Sequence, residues 1–205
     1  MKDYVTNLMF TVPLGTTIVP QEICDAIKPL KGLEQKGNKD YEFNVLKNSP
    51  EIKEKLIKIF TPWVNDILNI DARWAMTTNW ITENYNGTEM SRHRHFNSVF
   101  SAVLYFDKVD KHHASLTFEN PLTPFRTIEP FNYYSDTRNL FNSDEFNVPV
   151  EERRIIFFPS YLAHKHPSYK ATDIPRRSFA CNFFPIGKYG CSDSTLDTNW
   201  LAHDG

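Results

Sequence analysis

Cysteine is scarce: there are three in 205 residues (Cys24, Cys181 and Cys191), odd in number, far apart and without C-x-x-C spacing. That excludes a disulfide framework and a thiolate zinc site, and it suits a reducing compartment. Glycine is also sparse, 7 against 13 prolines, which argues against long flexible linkers and collagen-like repeats. No run approaches the roughly 18 apolar residues of a membrane span. The opening Met1-Lys2-Asp3-Tyr4-Val5-Thr6-Asn7 lacks the apolar stretch of a secretory signal, so the expected setting is cytoplasmic. Neither sign of charge dominates: 23 Lys and Arg face 25 Asp and Glu, a formal net charge of −2. There is thus no electrostatic case for a nucleic-acid or membrane-surface partner.

What is abundant is aromatic. Hydrophobic residues make up 40% and aromatics 14%, with 16 Phe, enough for a sizeable core. On a prior of about 150 residues per domain, the expectation is a single domain over 1–205.

Val12-Pro13 to Val19-Pro20 reads as an extended segment, followed by a short helix with Ile23, Ala26, Ile27 and Leu30 at helical spacing. Ser49-Pro50 is a helix start, serine as N-cap and proline at the first helical position. Ile52, Leu56, Ile59, Trp63, Ile67 and Ile70 then recur on one face, and Thr61-Pro62 predicts a kink or two abutting helices. After residue 70 the period becomes two, with Trp74, Met76, Thr78, Trp80 and Thr82 alternating as in a half-buried strand. Asn86-Gly87 turns the chain; further strands are expected over 98–106, 114–118, 154–158 and 178–184. Residues 119–150 carry no clear period and read as a long loop or lid, while 186–205 read as a polar tail. Helices first and strands afterwards imply a mainly β fold, an antiparallel sandwich or barrel with helices packed on one side.

The chemistry concentrates in histidine. His93-Arg94-His95 and His164-Lys165-His166 are two i, i+2 pairs. On extended backbone i and i+2 point the same way, so His93 and His95 can converge on one ion, with a third ligand from another strand such as that of His164. Two histidines plus one further ligand on one face suit a transition metal and leave three positions open. His112-His113 lies in a charged turn and reads as structural, and His166 reads as exposed. Alternation from Arg176-Arg177-Ser178 puts Arg176, Ser178, Ala180 and Asn182 on one face. An inward arginine needs an anion, either a core carboxylate or a bound one.

The string His93-x-His95-x-Asn97-Ser98-x-x-Ser101-x-x-x-Tyr105, then Phe157-Phe158-Pro159-Ser160-x-Leu162-x-His164, then Arg176-x-Ser178-x-x-x-Asn182, resembles the Fe(II)/2-oxoglutarate oxygenases of bacteria and tailed phages. These are distant relatives of the prolyl hydroxylases, and the likeness runs from about Trp80 to Phe183. The resemblance implies a double-stranded β-helix, or jelly roll, over 73–185, with 1–72 as helical support and 186–205 as the tail. By position it implies His93 and His164 as iron ligands, and Arg176 and Ser178 on the distal carboxylate of 2-oxoglutarate. It adds Tyr105 as a further hydroxyl contact and Asn182 as another co-substrate contact. The wider superfamily carries H-x-D, whereas here His95 stands at the aspartate position. His95 could complete the metal set, Asn97 could supply a neutral oxygen instead, or His95 could orient His93.

The implied activity is Fe(II)- and 2-oxoglutarate-dependent oxygenation of a small-molecule or peptidyl substrate, in a host's cytoplasm if the chain is phage-encoded. Two other readings fit the same histidines: a three-histidine cupin-type metalloenzyme that ignores 2-oxoglutarate, and a non-catalytic jelly-roll binding module.

Overall fold

The structure is a computed structural model that describes residues 11–30, 33–34, 43–85, 87–123 and 143–202. Asn86 of the expected turn lies outside them, as do Phe125, Phe131, Tyr133 and Tyr134 of the expected lid. The elements run β1 (Gly15–Ile18), α1 (Gln21–Ile27), β2 (Leu33–Glu34), α2 (Pro50–Leu68), β3 (Arg73–Asn84), β4 (Met90–His93) and β5 (Phe100–Leu104). They continue with β6 (Leu116–Glu119), β7 (Glu145–Val148), β8 (Arg154–Pro159), β9 (His164–His166), β10 (Arg176–Ile186), β11 (Lys188–Tyr189) and β12 (Leu196–Asp197).

One sheet has the order β1-β8-β5-β10-β3-β2 and a second β4-β9-β6-β7. Period-two alternation builds two cores, one on each face of the larger sheet. Leu104, Ile155, Phe157, Phe179, Cys181 and Phe183 point to the helices. Val103, Tyr105, Ile156, Phe158 and Ala180 point the other way, against Leu116, Phe118 and Val148 of the smaller sheet. The result is a helical layer, a large sheet and a small sheet: the expected jelly roll with helical packing on one side.

The helix α2 is the lid of the first core. Its buried residues are Ile52, Leu56, Phe60 and Val64, a stripe of fours. Ile67 and Ile70, expected on that face, are 41% and 42% exposed, because the stripe follows Phe60 and Val64 and leaves the last turn beyond the sheet. Neither a break nor a second helix occurs at Pro62; the helix runs through it. Trp63 and Phe60 are held in the core on both sides of the missing N–H donor. Ser49 is the N-cap residue but contributes no side-chain bond; its carbonyl accepts from Ile52 and Lys53 instead. Asn69, at φ 51, ends the helix in the left-handed region. Phe60 stacks on Phe183 at 3.9 Å and meets Trp74 edge-on at 5.3 Å. Gly15 has no room for a Cβ, which would lie 2.5 Å from the Trp63 indole, so β1 can pass directly beneath α2.

The alternation expected across Trp74, Met76, Thr78, Trp80 and Thr82 is interrupted. Against β10, Asn182 pairs with Thr78 but Phe183 pairs with Met76, so Thr77 is an extra residue, a β-bulge. Trp74 and Met76 therefore face the helices together with Ile81, while Trp80 faces the second core. Three short strands arise where no period was legible. β7, with one buried residue in four, forms an edge inside the expected loop, and β11 with β12 folds the expected tail back as a hairpin.

Arg177 fastens the helical layer to the sheet. It donates to Glu83 at 2.9 Å, to Asp107 at 2.8 Å and to the carbonyl of Lys28 beyond α1 at 3.2 Å. Burial alone would raise the Asp107 pKa, but the Arg177 guanidinium and the Lys108 N–H outweigh it and hold the carboxyl below its ordinary 3.8.

Phe60→Ala should lower stability by about 3–5 kcal/mol in urea denaturation, whereas Ile67→Ala should stay within about 0.5 kcal/mol. A depressed folded-state pKa adds stability above the unfolded value and loses it as pH falls through the folded one. The destabilisation by Asp107→Asn should therefore be present at pH 7 and shrink as the pH is lowered below 3.8.

Candidate metal centre

The smaller sheet sets the first two histidines opposite each other. β4 ends at His93 and β9 begins at His164, and the two are register partners. His95 follows beyond the strand end, its backbone N–H donating to the Ser160 carbonyl at 3.1 Å. The rings close on one point: centroids are 4.3 Å apart for His93 and His164, 4.9 Å for His95 and His164, and 5.3 Å for His93 and His95. One nitrogen from each lies within 4.8 Å of the others.

Which nitrogen is free follows from the partners of the other. His93 Nδ1 lies 2.9 Å from the Ser91 carbonyl and His164 Nδ1 3.0 Å from the Leu162 carbonyl. A carbonyl oxygen only accepts, so both rings carry their proton on Nδ1. His95 Nδ1 lies 2.7 Å from Asn182 Oδ1, whose own amide donates to Thr78 Oγ1 at 2.8 Å. All three Nε2 atoms thus keep a lone pair, and each ring is held by a hydrogen bond from its far side, as metal-binding imidazoles are. Burial, reinforced by the neighbouring histidines, pushes the His164 pKa down to about 3, and burial also lowers that of His95. Neutral imidazole is the form that binds a metal, and three such donors fit iron, nickel, copper or zinc.

His95, at the position of the superfamily's aspartate, stands with His93 and His164. Asn97 is exposed, sits at φ 58 in the turn before β5, and lines neither cavity beside the histidines. His95 Nδ1 faces Asn182 Oδ1 at 2.7 Å and Ser101 Oγ at 2.9 Å, and not His93.

The triad divides two cavities. Trp80, His93 and His95 line both. The inner one is walled by Thr82, Tyr105, Arg176 and Ser178. The outer one, wider at about 380 Å³, is walled by Phe43, Thr78, Phe96 and Asn182. The register of β10 on β3 explains the division: Asn182 with Thr78, Ala180 with Trp80, Ser178 with Thr82 and Arg176 with Asn84. At about 3.4 Å per residue these pairs span ~20 Å from outer mouth to inner end.

Arg176 is 3% exposed. Its Nη2 donates to the Tyr105 hydroxyl at 2.8 Å and its Nε to the Ala114 carbonyl at 3.2 Å. No carboxylate pairs with it among the described residues. Asn182, expected beside the co-substrate, lies beside His95 in the outer cavity. His166, expected to be exposed, is fully buried with Nε2 unpartnered among the described residues, because β9 turns it inward with His164. His113 is buried and bonds the Ile174 carbonyl at 2.8 Å, a structural role. Trp80 and Thr82 also wall the cavities; alternation puts them on the face of Thr78, but the bulge at Thr77, which no local period signals, sets the side that face takes.

A family model described as 2OG-Fe(II) oxygenase matches residues 78–182, half of the chain, from β3 to β10 and across every histidine of the triad. The chain belongs to the 2OG-Fe(II) oxygenase family. It is a 2-oxoglutarate-dependent non-haem iron oxygenase with Fe(II) and 2-oxoglutarate as cofactor and co-substrate. Among solved structures this oxygenase is similar to the non-heme alpha-ketoglutarate-dependent epimerase SnoN from nogalamycin biosynthesis. That likeness has a TM-score of 0.59 at 11% identity over 88% of this chain and 82% of that one. The carbocyclase SnoK from the same biosynthesis gives 0.58 at 12% identity over 89% and 85%. HygX from Streptomyces hygroscopicus, solved with nickel and 2-oxoglutarate bound, gives 0.54 at 10% identity over 85% and 83%. At such identities these speak for the fold alone. No curated protein matches the sequence. No helix among the described residues is long and apolar enough to cross a membrane.

In ¹⁵N NMR of the metal-free protein, His93, His95 and His164 should all appear as the Nδ1–H tautomer. A His164 ring protonated on Nε2 would contradict the assignment.

Proposed function

We propose that this oxygenase is a hydroxylase. His93, His95 and His164 hold Fe(II) through Nε2, and the inner cavity holds 2-oxoglutarate, its distal carboxylate on Arg176 and Ser178. The observation that carries the reading is Arg176, a buried guanidinium that shares a cavity with the three histidines and has no carboxylate partner among the described residues. A buried unpaired charge is strongly unfavourable, so the cavity is built to receive an anion. A dicarboxylate reaching from the metal to the guanidinium fits both ends.

Bound there, iron supplies the oxidative decarboxylation in which O₂, 2-oxoglutarate and a substrate C–H give succinate, CO₂ and the alcohol. The residues of the chain position and shield. Tyr105 accepts from Arg176 and so fixes the direction of the guanidinium fork. Ser178, 7% exposed on the same face of β10, offers a hydroxyl proton to the second carboxylate oxygen. Asn182 and Ser101 hold the His95 ring at 2.7 and 2.9 Å. Val103, Leu116 and Ala180 wall the inner cavity with apolar surface that excludes water from the bound keto acid.

The test is an anaerobic titration with Fe(II) and then 2-oxoglutarate, followed by the visible absorption of a keto acid chelated to Fe(II). Arg176→Ala should weaken 2-oxoglutarate about 10–100-fold, the loss of a charge-assisted bond, while Fe(II) affinity stays unchanged. Iron binding without any response to 2-oxoglutarate would instead identify a three-histidine enzyme that ignores the keto acid. Ser178→Ala gives an independent check if Arg176→Ala folds poorly.

A further inference from the structure

The outer cavity differs in kind from the inner one. No Lys, Arg, Asp or Glu lines it among the described residues; it is walled by Phe43, Trp80 and Phe96, with Thr78 and Asn182 behind. Phe96 is 82% exposed and Phe43 49%, at the mouth of a cavity whose floor is His93 and His95. Trp80 stands edge-on to Phe43 at 5.9 Å and 5.4 Å from His95, so its indole forms the wall between the mouth and the metal centre. The amide of Asn182 is already used: Oδ1 accepts from His95, and Nδ2 donates to Thr78. Thr78 Oγ1 accepts that bond, which leaves its own proton for a ligand.

Resting on the function proposed above, we infer that the substrate is an uncharged small molecule. It presents a flat ring to Phe43, Trp80 and Phe96 and a neutral oxygen acceptor to Thr78. Three facts support this choice. Aromatic faces flanking a site reward a planar or cyclic apolar group over a flexible chain. The lack of charged lining among the described residues disfavours a phosphate, carboxylate or ammonium next to the reacting carbon, because such a group would be desolvated without a partner. A cavity of about 380 Å³ lies at the small-ligand end of binding sites, enough for a two-ring compound. A large ring left in water beside the metal centre at Phe96 is covered once such a ligand is seated.

The test uses the full chain loaded with Ni(II) and 2-oxoglutarate and titrated with 2-naphthol, followed by indole N–H resonances. The chain has four tryptophans. The Trp80 signal, assigned by Trp80→Phe, should shift saturably while those of Trp63, Trp74 and Trp200 stay. Phe96→Ala, at an exposed position that the fold does not need, should weaken 2-naphthol about tenfold or more, with Ni(II) and 2-oxoglutarate affinities unchanged. Thr78→Val should weaken 2-naphthol but not naphthalene. Equal or tighter binding of naphthalene-2-sulfonate or 2-naphthylmethylammonium would overturn the inference. So would a proline- or phenylalanine-containing tripeptide amide that binds more tightly than the naphthol, since the substrate would then be a peptide. Absence of any Trp80 shift while Ni(II) and 2-oxoglutarate bind would overturn the substrate class alone. A Trp80 shift in a protein that fails to bind 2-oxoglutarate would sink the oxygenase site assignment and leave the ring-binding cavity standing.

Discussion

The register of β10 between β3 and β5 is the constraint from which the rest follows. This strand serves two chemistries at once, because its side chains alternate. Phe179, Cys181 and Phe183 are buried under α2, where Phe183 stacks on Phe60. Arg176, Ser178, Ala180 and Asn182 occupy the opposite face, in the order inner cavity to outer mouth. A slip of one residue would carry phenylalanines into the cavity and Arg176 into the helical core. The aromatic packing of the helical layer therefore holds the site in phase, although no residue of α2 touches it. In this molecule the apolar core sets where the polar chemistry stands.

Two consecutive arginines make the same point from opposite faces. Arg177 has Glu83, Asp107 and backbone carbonyls around it and acts as a structural tie. Arg176, one residue earlier, is turned inward to Tyr105 and the Ala114 carbonyl, with its charge unmatched among the described residues. One arginine is neutralised by the fold, and the other has no carboxylate beside it among the described residues. The histidines show a parallel economy of protons. Each donates from Nδ1 to an oxygen that the fold places behind it, and each keeps Nε2 free for the point where the three converge.

The metal centre also separates two environments. Its inner side offers a guanidinium and hydroxyls, and its outer side offers aromatic faces and, among the described residues, no charge. Trp80 stands between them on the strand whose bulge at Thr77 turned it to that side. Without the extra residue, Trp80 and Thr82 would share the face of Trp74 and Met76 and pack under the helices, and the cavities would lose their common wall.

Much of this was legible in the order of residues. The i, i+2 histidines, the apolar strand running into His164, the alternating face of Arg176, Ser178 and Asn182, and the serine-proline start of α2 are local patterns. A backbone period of 2 or 3.6 decides them within a few residues. Other features were not legible. Among these are the placing of His95 rather than Asn97 beside His93 and His164, the hydrogen bond of Asn182 to His95, the burial of His166 and the phase change at Thr77. The three-residue strand β9 and the edge strand β7 are too short to print a period, and a bulge changes which face a residue takes without changing its identity. Residue types, their local faces and the family resemblance are thus written in the order of residues. Which faces meet is set by the folded chain, because β4, β9 and β10 come together through pairings and packing between distant segments.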